Sequence, residues 1–197
     1  MFFPVNRDTR VVFVTFPQTR IWHEYPDAAL LYRRAAEGIE RVAAESIALR
    51  GVFSIVRAGG GTPQAVYRLL CQIRTEWSAW HVYFGDERCL PPDHPERNSV
   101  MAAQAWLERV AIPSAQIHRI PAHLGAETAA SQYSSVLDGM ADFDLVLLGL
   151  GQDGHTASLF PGHEWGNLEG QPAALAVHDA PKPPSDRVSG AVPCRSR

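Results

Sequence analysis

The sequence has little of what several large classes of proteins require. Its 197 residues include only three cysteines, Cys71, Cys89 and Cys194, which are too few and too scattered for a disulfide framework or a zinc cluster. The formal net charge of −3 leaves no basic excess, so we expect no nucleic-acid partner that is bound by neutralising phosphates. No apolar stretch approaches membrane-spanning length, so no membrane partner is expected either.

The composition and the first residues predict a cytoplasmic protein of one domain. The segment MFFPVNRDTR lacks the basic region and apolar run of a signal peptide, and free thiols suit a reducing compartment. A chain that is 46% hydrophobic and 20% charged can bury a core, and its length suits a single domain over residues 1–197. We expect a monomer or a weak homodimer.

Several catalytic motifs are missing as well. There is no GxSxG elbow of a serine hydrolase and no HExxH or paired-histidine spacing, so no metal site is expected. Gly149, Gly151 and Gly154 match the GxGxxG pattern of dinucleotide-binding proteins. That interpretation is disfavoured because Pro161 and Gly162 would cut the following helix short and the motif lies in the last third of the chain.

What the sequence does contain is an alternation of apolar runs and helical periodicity. This predicts an α/β fold with a mostly parallel sheet flanked by helices, and a core that includes Trp77, Trp80 and Trp106. The predicted strands are 11–16, 52–56, 80–84, 117–120, 144–148 and 173–177, and the predicted helices are 27–50, 63–73, 98–110 and 127–137. The continuously apolar run 144–148 predicts a central strand buried on both faces. Ligands of such sheets bind beyond the carboxyl ends of the strands, where three loops rich in glycine and charge follow.

The first of these loops contains Gly59, Gly60 and Gly61 in a row. Consecutive glycines let the backbone approach a ligand closely. Thr62 is predicted to cap the next helix and Pro63 to occupy its first position, which places free N–H groups and the helix dipole at the loop. We interpret the loop as a site for one phosphate group on a small molecule; a tight turn that binds nothing is the alternative. No lysine follows the glycines in the GxxxxGK[ST] spacing of a triphosphate site.

The second loop carries the charged run Gly-Asp-Glu-Arg after strand 80–84. Arg88 could form a fork to phosphate or carboxylate oxygens, and Asp86 could orient that guanidinium or accept a sugar hydroxyl. A solvated ion pair is the alternative that this loop alone leaves open. Cys89 is expected to be a small buried residue rather than a reactive thiol.

The third loop follows strand 144–148 and places Asp153 two residues before His155. A histidine titrates near the working pH and can act as a general base toward water. Asp153 could fix the imidazole tautomer and stabilise the imidazolium, as the aspartate of a catalytic triad does. The alternative is a histidine satisfied by backbone groups at a turn, but an acid and a histidine flanking a glycine at this position favour catalysis.

Together these loops resemble one family. The segments GGGTPQAVYRLL, FGDERCLPPDHPERNSVMA and DLVLLGLGQDGHTASLFPGH are similar to three signature segments of 6-phosphogluconolactonases, and Lys182-Pro-Pro through Arg187 is similar to a fourth. The resemblance implies a Rossmann-like fold of the sugar-phosphate isomerase/deaminase type with no metal or organic cofactor. It also implies the reaction, in which water opens 6-phosphoglucono-1,5-lactone to 6-phosphogluconate in the pentose phosphate pathway.

The resemblance also assigns roles to residues. It places the general base on His155 and its supporting acid on Asp153. The contacts to phosphate and sugar fall on these positions: Gly59, Gly60, Gly61, Thr62, Asp86, Arg88, Lys182 and Arg187. The donor for the tetrahedral oxyanion stays open between loop N–H groups and a cation.

Two departures from the family pattern carry expectations. Gly61 stands where many relatives have a hydroxyl residue, which removes one phosphate contact. After Arg187 the family continues with a strand and a helix, whereas residues 188–197 look like neither, so we expect a chain shortened at this end. Missing elements would expose apolar surface and a sheet edge, which lowers stability and favours association.

Two other functions remain open from the residues. An amino-sugar-phosphate isomerase/deaminase of the same superfamily needs a further acid near the third loop, where this chain has no carboxylate between His155 and Glu164. A sugar-phosphate-binding protein without catalysis would bind 6-phosphogluconate and not turn the lactone over. A purely structural protein does not explain three ligand-type loops on one sheet edge.

Overall fold

The computed structural model describes residues 19–138, 140, 142–163 and 172–190. Four helices and seven strands lie in these residues. The helices are α1 (Ala28–Arg50), α2 (Gly61–Leu70), α3 (Asn98–Ala105) and α4 (Ala126–Leu137). The strands are β1 (Phe53–Arg57), β2 (Trp80–Phe84), β3 (Asp86–Arg88), β4 (Ile117–His118), β5 (Leu145–Val146), β6 (Ala174–Val177) and β7 (Arg187–Gly190). The α/β prediction is confirmed; the strand predicted at 11–16 lies outside the described residues.

A parallel sheet in the order β4-β2-β1-β5 carries the fold. Strands β1 and β2 lie in its middle, with Phe53 paired to Trp80 and Arg57 to Phe84. Both strands are almost entirely buried, which explains why their sequences read as apolar runs rather than as alternating patterns. Parallel pairing brings the carboxyl ends of β1, β2 and β5 to the same edge, where the three loops begin.

The prediction that 144–148 forms a central strand was wrong for the described sheet. Only Leu145 and Val146 form β5, which pairs with β1 alone and lies at the sheet's edge. After Val146 the chain leaves the sheet, and Leu148 and Leu150 are 48% and 83% exposed. An apolar run reports low polarity but not which neighbours cover it, so an edge strand followed by an exposed loop has the same pattern as a buried strand.

A second sheet, which the sequence did not predict, is antiparallel and has the order β3-β7-β6. Its middle strand β7 begins at Arg187, so the prediction that no strand follows Arg187 was wrong for residues 188–190. Val188 and Ser189 are completely buried between the flanking strands. The segment Arg-Val-Ser-Gly has low intrinsic strand propensity, and pairing on both sides overrides that preference. Residues 191–197 lie outside the described part of the chain.

Helix α4 joins the two sheets. The hydroxyl of Tyr133 accepts a hydrogen bond from the Phe84 amide at 2.9 Å and donates to the Phe84 carbonyl at 3.2 Å. At the next residue, the hydroxyl of Ser134 bonds both backbone groups of Ala174 in β6. A helix that binds the ends of β2 and β6 fixes the second sheet beside the carboxyl edge of the first.

Aromatic rings fill the core under α2 and α3. Trp80 and Trp106 have no exposed surface and meet edge to face with ring centroids 5.8 Å apart, as predicted for core tryptophans, while Trp77 packs at their margin. The helix predicted over 98–110 ends at Ala105, because Trp106 leaves helical geometry at φ −148° to stack on Tyr67. A short 3₁₀ turn, Leu107–Arg109, follows.

Candidate active site

A cleft of ≈ 500 Å³ lies at the carboxyl edge of the parallel sheet. It collects most of the predicted site residues from loops that are far apart in the sequence. Those that line it are Gly59, Gly60, Gly61, Thr62, Asp86, Arg88, His155 and Arg187. Asp153 and Lys182 are not among the lining residues. Asp153 contacts His155, and Lys182 contacts Asp153.

The glycine loop enters α2 two residues earlier than predicted. The N-cap is Gly60, at φ 102°, and the helix begins at Gly61, so the predicted capping by Thr62 and first-turn start at Pro63 were wrong. The left-handed φ at Gly60 is open to glycine and strained for other residues, which explains why the cap has no side chain. Gly61 and Thr62 still line the cleft at the positive end of the helix, where the first N–H groups have no acceptor within the helix.

Gly59 makes room for Asn98, a residue that the sequence analysis did not select. A Cβ atom on Gly59 would lie 2.8 Å from Cγ of Asn98, closer than real contacts allow. The Asn98 amide donates to Oδ1 of Asp86 at 2.9 Å and to the Asp86 carbonyl at 3.1 Å. Asn98 therefore packs against the glycine loop at Gly59 while its carboxamide holds the charged loop at Asp86.

Asp86 lies at the floor of the cleft as a buried acid. Its second oxygen accepts a hydrogen bond from the hydroxyl of Ser158 at 2.8 Å, so both carboxylate oxygens are engaged. Burial raises the pKa of Asp86, while the Ser158 hydrogen bond and the nearby Arg57 oppose that shift. Asp86 is thus an ordered acceptor rather than a solvated surface charge, which excludes the surface ion-pair alternative for this residue.

Glu87 holds the charged loop in place. Its carboxylate is completely buried and accepts hydrogen bonds from the amides of Asn98 and Ser99, at 2.7 and 2.8 Å, which are the first two residues of α3. The Nε of Arg97 lies 3.4 Å away. Helix α3 has no capping side chain at its N-cap residue. Glu87, in β3, accepts hydrogen bonds from its first N–H groups instead and thereby positions Asn98.

A second buried cation, Arg57, lies beneath the glycine loop. It is 1% exposed, its guanidinium packs 4.0 Å from the centroid of Phe84, and its Nη1 donates to the Ala58 carbonyl at 3.1 Å. Burial lowers the pKa of Arg57, and the nearby Tyr67, Glu87 and Asp86 oppose that shift. The charge of Arg57 therefore contributes to the floor of the cleft from inside the core.

Arg88 and Arg187 line the cleft from paired positions of β3 and β7. Arg88 donates to the carbonyl of Glu96, and Arg187 donates to the carbonyls of Lys182 and Pro184 at 2.7 and 3.0 Å. Burial and the neighbouring Arg88 both lower the pKa of Arg187. Two guanidinium groups beside each other at a cleft suit a doubly charged phosphate.

The Asp-Gly-His loop forms a hydrogen-bonded acid–imidazole pair. Oδ1 of Asp153 is bonded to Nδ1 of His155, and Phe160 stacks under the imidazole with ring centroids 4.7 Å apart. The loop closes on itself, since the Gly151 amide donates to the His155 carbonyl at 2.8 Å. A Cβ atom on Gly151 would lie 2.6 Å from Oδ1 of Asp153, so this turn must be glycine.

The charges around Asp153 determine its ionisation. Hydrogen bonds from His155 and from Lys182, whose Nζ lies 3.0 Å from Oδ2, hold the pKa of Asp153 well below its usual range. With Nδ1 engaged by a carboxylate, the Nε2 atom of His155 is the atom left to accept a proton, and the imidazole is about one-fifth exposed at the cleft. This is the arrangement of a general base with an orienting acid.

The described residues give little support to a metal site, a reactive thiol or a membrane-spanning helix. Within 19–138, 140, 142–163 and 172–190, no group of three or more histidine, cysteine, aspartate or glutamate side chains is placed to hold a metal ion. Burial raises the pKa of the Cys89 thiol to about 11, which agrees with the expected unreactive role. In the same ranges no helix is long and apolar enough to cross a membrane.

The residues that sequence reasoning missed are those that act through contacts distant in the chain. Asn98, Ser158 and Arg57 carry no local pattern that separates them from ordinary polar residues. Glu87 was visible in the Gly-Asp-Glu-Arg run but was not separated from its neighbours. At Gly59 and Gly151, side chains lie so close to the backbone that only glycine fits, and these glycines are visible in the sequence. The sequence did not identify which side chains lie against them.

Comparisons with known proteins identify the family of the chain. Residues 26–194 match the family described as glucosamine-6-phosphate isomerases/6-phosphogluconolactonase. The chain is 37% identical over 187 residues to a 6-phosphogluconolactonase of Mycobacterium tuberculosis, covering 88% of this chain and 75% of that protein. It is 38% identical over 170 residues, or 78% of this chain, to the protein named "Probable 6-phosphogluconolactonase 3, chloroplastic" from Oryza sativa subsp. indica.

A solved structure is similar as well. The 6-phosphogluconolactonase of Thermotoga maritima superposes with a TM-score of 0.73 at 28% identity, covering 81% of this chain and 72% of that one. The chain spans about half the length of the rice relative, 52%. The match over most of the chain, in the order of the loops that build the cleft, shows that the chain belongs to the family of glucosamine-6-phosphate isomerases and 6-phosphogluconolactonases.

Proposed function

We propose that this chain hydrolyses 6-phospho-D-glucono-1,5-lactone to 6-phospho-D-gluconate, with His155 as the general base. One observation carries the proposal: His155, bonded to Asp153 behind it, lines a cleft that two arginines and a glycine-rich helix N-terminus also line. A base for water and a site for phosphate within one cleft suit a phosphorylated ester. The names of the relatives from Mycobacterium tuberculosis and Thermotoga maritima support the same reaction.

The chemistry follows from the two ring nitrogens. Nδ1–H of His155 donates to Asp153, so Nε2 accepts a proton from water while the water oxygen attacks the lactone carbonyl carbon. The tetrahedral intermediate collapses by breaking the bond between that carbon and the ring oxygen, and the imidazolium returns its proton to the departing oxygen. Asp153 stabilises the imidazolium between these steps.

Binding is assigned to the rest of the cleft. Arg88 and Arg187 attract the phosphate, and the N–H groups of Gly61 and Thr62 offer hydrogen bonds to an anion at the start of α2. Asp86 is held by Asn98 and Ser158 at the floor, where it can accept a sugar hydroxyl. Gly59 and Gly60 also line the cleft, where glycine lets the backbone approach a ligand closely.

The test is hydrolysis of freshly generated 6-phosphogluconolactone by the parent and by His155→Ala, measured against spontaneous hydrolysis. We expect the variant to lose at least about 100-fold in kcat, since general-base catalysis contributes about 100- to 10,000-fold. His123→Ala removes an exposed histidine outside the cleft and serves as the matched control. A His155→Ala variant with the parent's kcat would refute the role of the base.

Two further assays of the parent distinguish the other functions. Release of ammonia from glucosamine 6-phosphate, without lactone hydrolysis, would assign the isomerase branch of the family. A folded parent that binds 6-phosphogluconate but adds nothing to spontaneous hydrolysis would be a sugar-phosphate-binding protein. The cytoplasmic location, the monomer or weak homodimer and the absence of a cofactor stay predictions.

A further inference from the structure

The side chain of Lys182 contacts Asp153, the residue bonded to the proposed base His155, and does not line the cleft. Its ammonium lies 3.0 Å from Oδ2 of Asp153, while Oδ1 of the same carboxylate is bonded to Nδ1 of His155. Lys182 is absent from the residues that line the cleft, although its neighbour in the same segment, Arg187, is present. The three side chains therefore form a row, with the carboxylate in the middle and the imidazole alone at the cleft.

The composition of the chain sets Lys182 apart. The whole sequence has 18 basic residues, and Lys182 is the only lysine among them. An ammonium is a compact charge on a flexible stem, whereas a guanidinium is a planar fork that binds two oxygens at once. One oxygen of Asp153 is already taken by His155, so a compact charge suits the oxygen that is left.

The backbone around Lys182 is held by the second sheet. Nη2 of Arg187 donates to the Lys182 carbonyl at 2.7 Å, and Nε of Arg187 donates to the Pro184 carbonyl at 3.0 Å. Arg187 begins β7, which pairs with β3 on one side and β6 on the other. The lysine is thus presented to Asp153 by a braced segment rather than by a free loop.

We propose that Lys182 is a positioning residue that holds Asp153, and through it His155, instead of binding the substrate phosphate. The inference rests on the proposed lactone hydrolysis, because it assigns a role in orienting that base. With Lys182 on Oδ2, the carboxylate is kept from rotating, and Oδ1 stays on the imidazole. The pair is 53% and 37% exposed, so its contribution to overall stability is small and its effect is local.

The kinetic test compares the parent with Lys182→Met, which keeps the stem and removes the charge. We expect kcat to fall roughly 10-fold because the base is less well oriented, and KM to change less than about twofold. Arg41→Met is the matched control, since it removes one exposed charge from α1 that pairs with Glu45 and is not among the residues that line the cleft. A KM that rises about 10-fold with unchanged kcat would place Lys182 on the phosphate and overturn the proposal, as would a variant with the parent's kcat and KM.

A second measurement does not need activity. In protein labelled with ¹⁵N at histidine, the ring signals of His155 are identified by their loss in His155→Gln and compared between the parent and the variants at one pH. We expect the Nδ1 signal of His155 to shift in Lys182→Met, because the carboxylate that accepts the Nδ1–H has lost its second partner. In Asp153→Asn, where the carboxylate itself is lost, we expect a larger shift.

The two measurements separate the two proposals. An inactive parent in which Lys182→Met still shifts the His155 signal would defeat the proposed function while the charge row remains. An active parent in which Lys182→Met leaves both the signal and kcat unchanged would defeat the positioning role alone.

Discussion

Gly151 and Asp153 lie so close that a Cβ atom on the glycine would be 2.6 Å from Oδ1 of the carboxylate. That oxygen is the one that holds Nδ1 of His155. The Asp153–His155 pair therefore occupies the space that a side chain at position 151 would need. Glycine at this position is required by the site and not only by the turn.

We expect Gly151→Ala to remove most of the activity while leaving the fold intact. The added methyl group must displace the Asp153 carboxylate and the His155 ring together, and a misplacement of about 1 Å in a catalytic group costs roughly 100-fold in rate. The measurement is kcat for lactone hydrolysis, with circular dichroism to check folding. Gly38→Ala, on the outer helix α1 with open space around it, should keep the parent's kcat. Equal rates in the two variants would contradict the geometry of the pair.

Gly59→Ala should act on stability and binding instead. Its Cβ would displace Asn98, which holds Asp86 in the floor of the cleft. Overpacking of this kind costs about 1–3 kcal/mol in the free energy of unfolding, measured by denaturant titration. Gly38→Ala is again the matched substitution and should instead stabilise α1 by up to about 1 kcal/mol. A Gly59→Ala protein as stable as the parent would mean that Asn98 can move freely.

The buried acid Glu87 should be among the most costly positions to neutralise. In Glu87→Gln the amides of Asn98 and Ser99 keep a weaker acceptor, and Arg97, which is 4% exposed, loses its buried counter-charge. Breaking a buried pair from one side costs about 3–5 kcal/mol. The exposed pair Arg41–Glu45 supplies the control, since Glu45→Gln should change the free energy of unfolding by less than about 1 kcal/mol. Comparable losses in the two variants would exclude a special role for Glu87.

His178 should make the stability of the protein depend on pH. Its ring nitrogens lie 3.1 Å from Glu127, in the first turn of α4, and 3.2 Å from Asp186, which precedes β7. The hydrogen bond to Glu127, and to a lesser extent the one to Asp186, raises the pKa of His178 above its ordinary value of 6.5. With a raised pKa in the folded state, the stabilisation is fully present below the unfolded value of 6.5 and is lost as the pH rises through the folded pKa.

The variant His178→Gln tests that sign. Because the side chain is half exposed and the pairs are screened, we expect Tm to fall by only about 1–3 °C near pH 6 and not at all near pH 9. The exposed His123→Gln is the matched control. A difference in Tm that grows toward alkaline pH would show that the charged form of His178 is not the stabilising one.

Elements with a strong local pattern were predictable. Strand β2 has the predicted bounds. Helix α1 begins one residue after the predicted start, because Asp27 is its N-cap and has extended rather than helical backbone angles. These segments have period, caps and length in their favour, and each of those signals acts within one turn of the chain. Where tertiary contacts decide, as at Trp106 and in β7, the local pattern predicted the wrong element.

The candidate site was predictable to the extent that its residues lie in loops after strands. Parallel pairing necessarily brings such loops to one edge, so Gly59, Asp86, Arg88 and His155 were expected together before their distances were known. The behaviour of Lys182 was different. Its place in a segment similar to a known signature assigned it to the substrate, whereas its ammonium lies on Asp153, and no local property of the sequence could distinguish the two.

The sequence by itself determined the alternation of strands and helices, the edge at which the loops meet and the acid–histidine spacing, because periodicity, glycine and residue chemistry act over short distances. Only the tertiary structure decided that β7 is the middle of a second sheet, that Glu87 caps α3 and that Asn98 joins Gly59 to Asp86. Those contacts join residues that are 11 or more positions apart or lie on separate strands, and they depend on the path of the whole chain rather than on any segment.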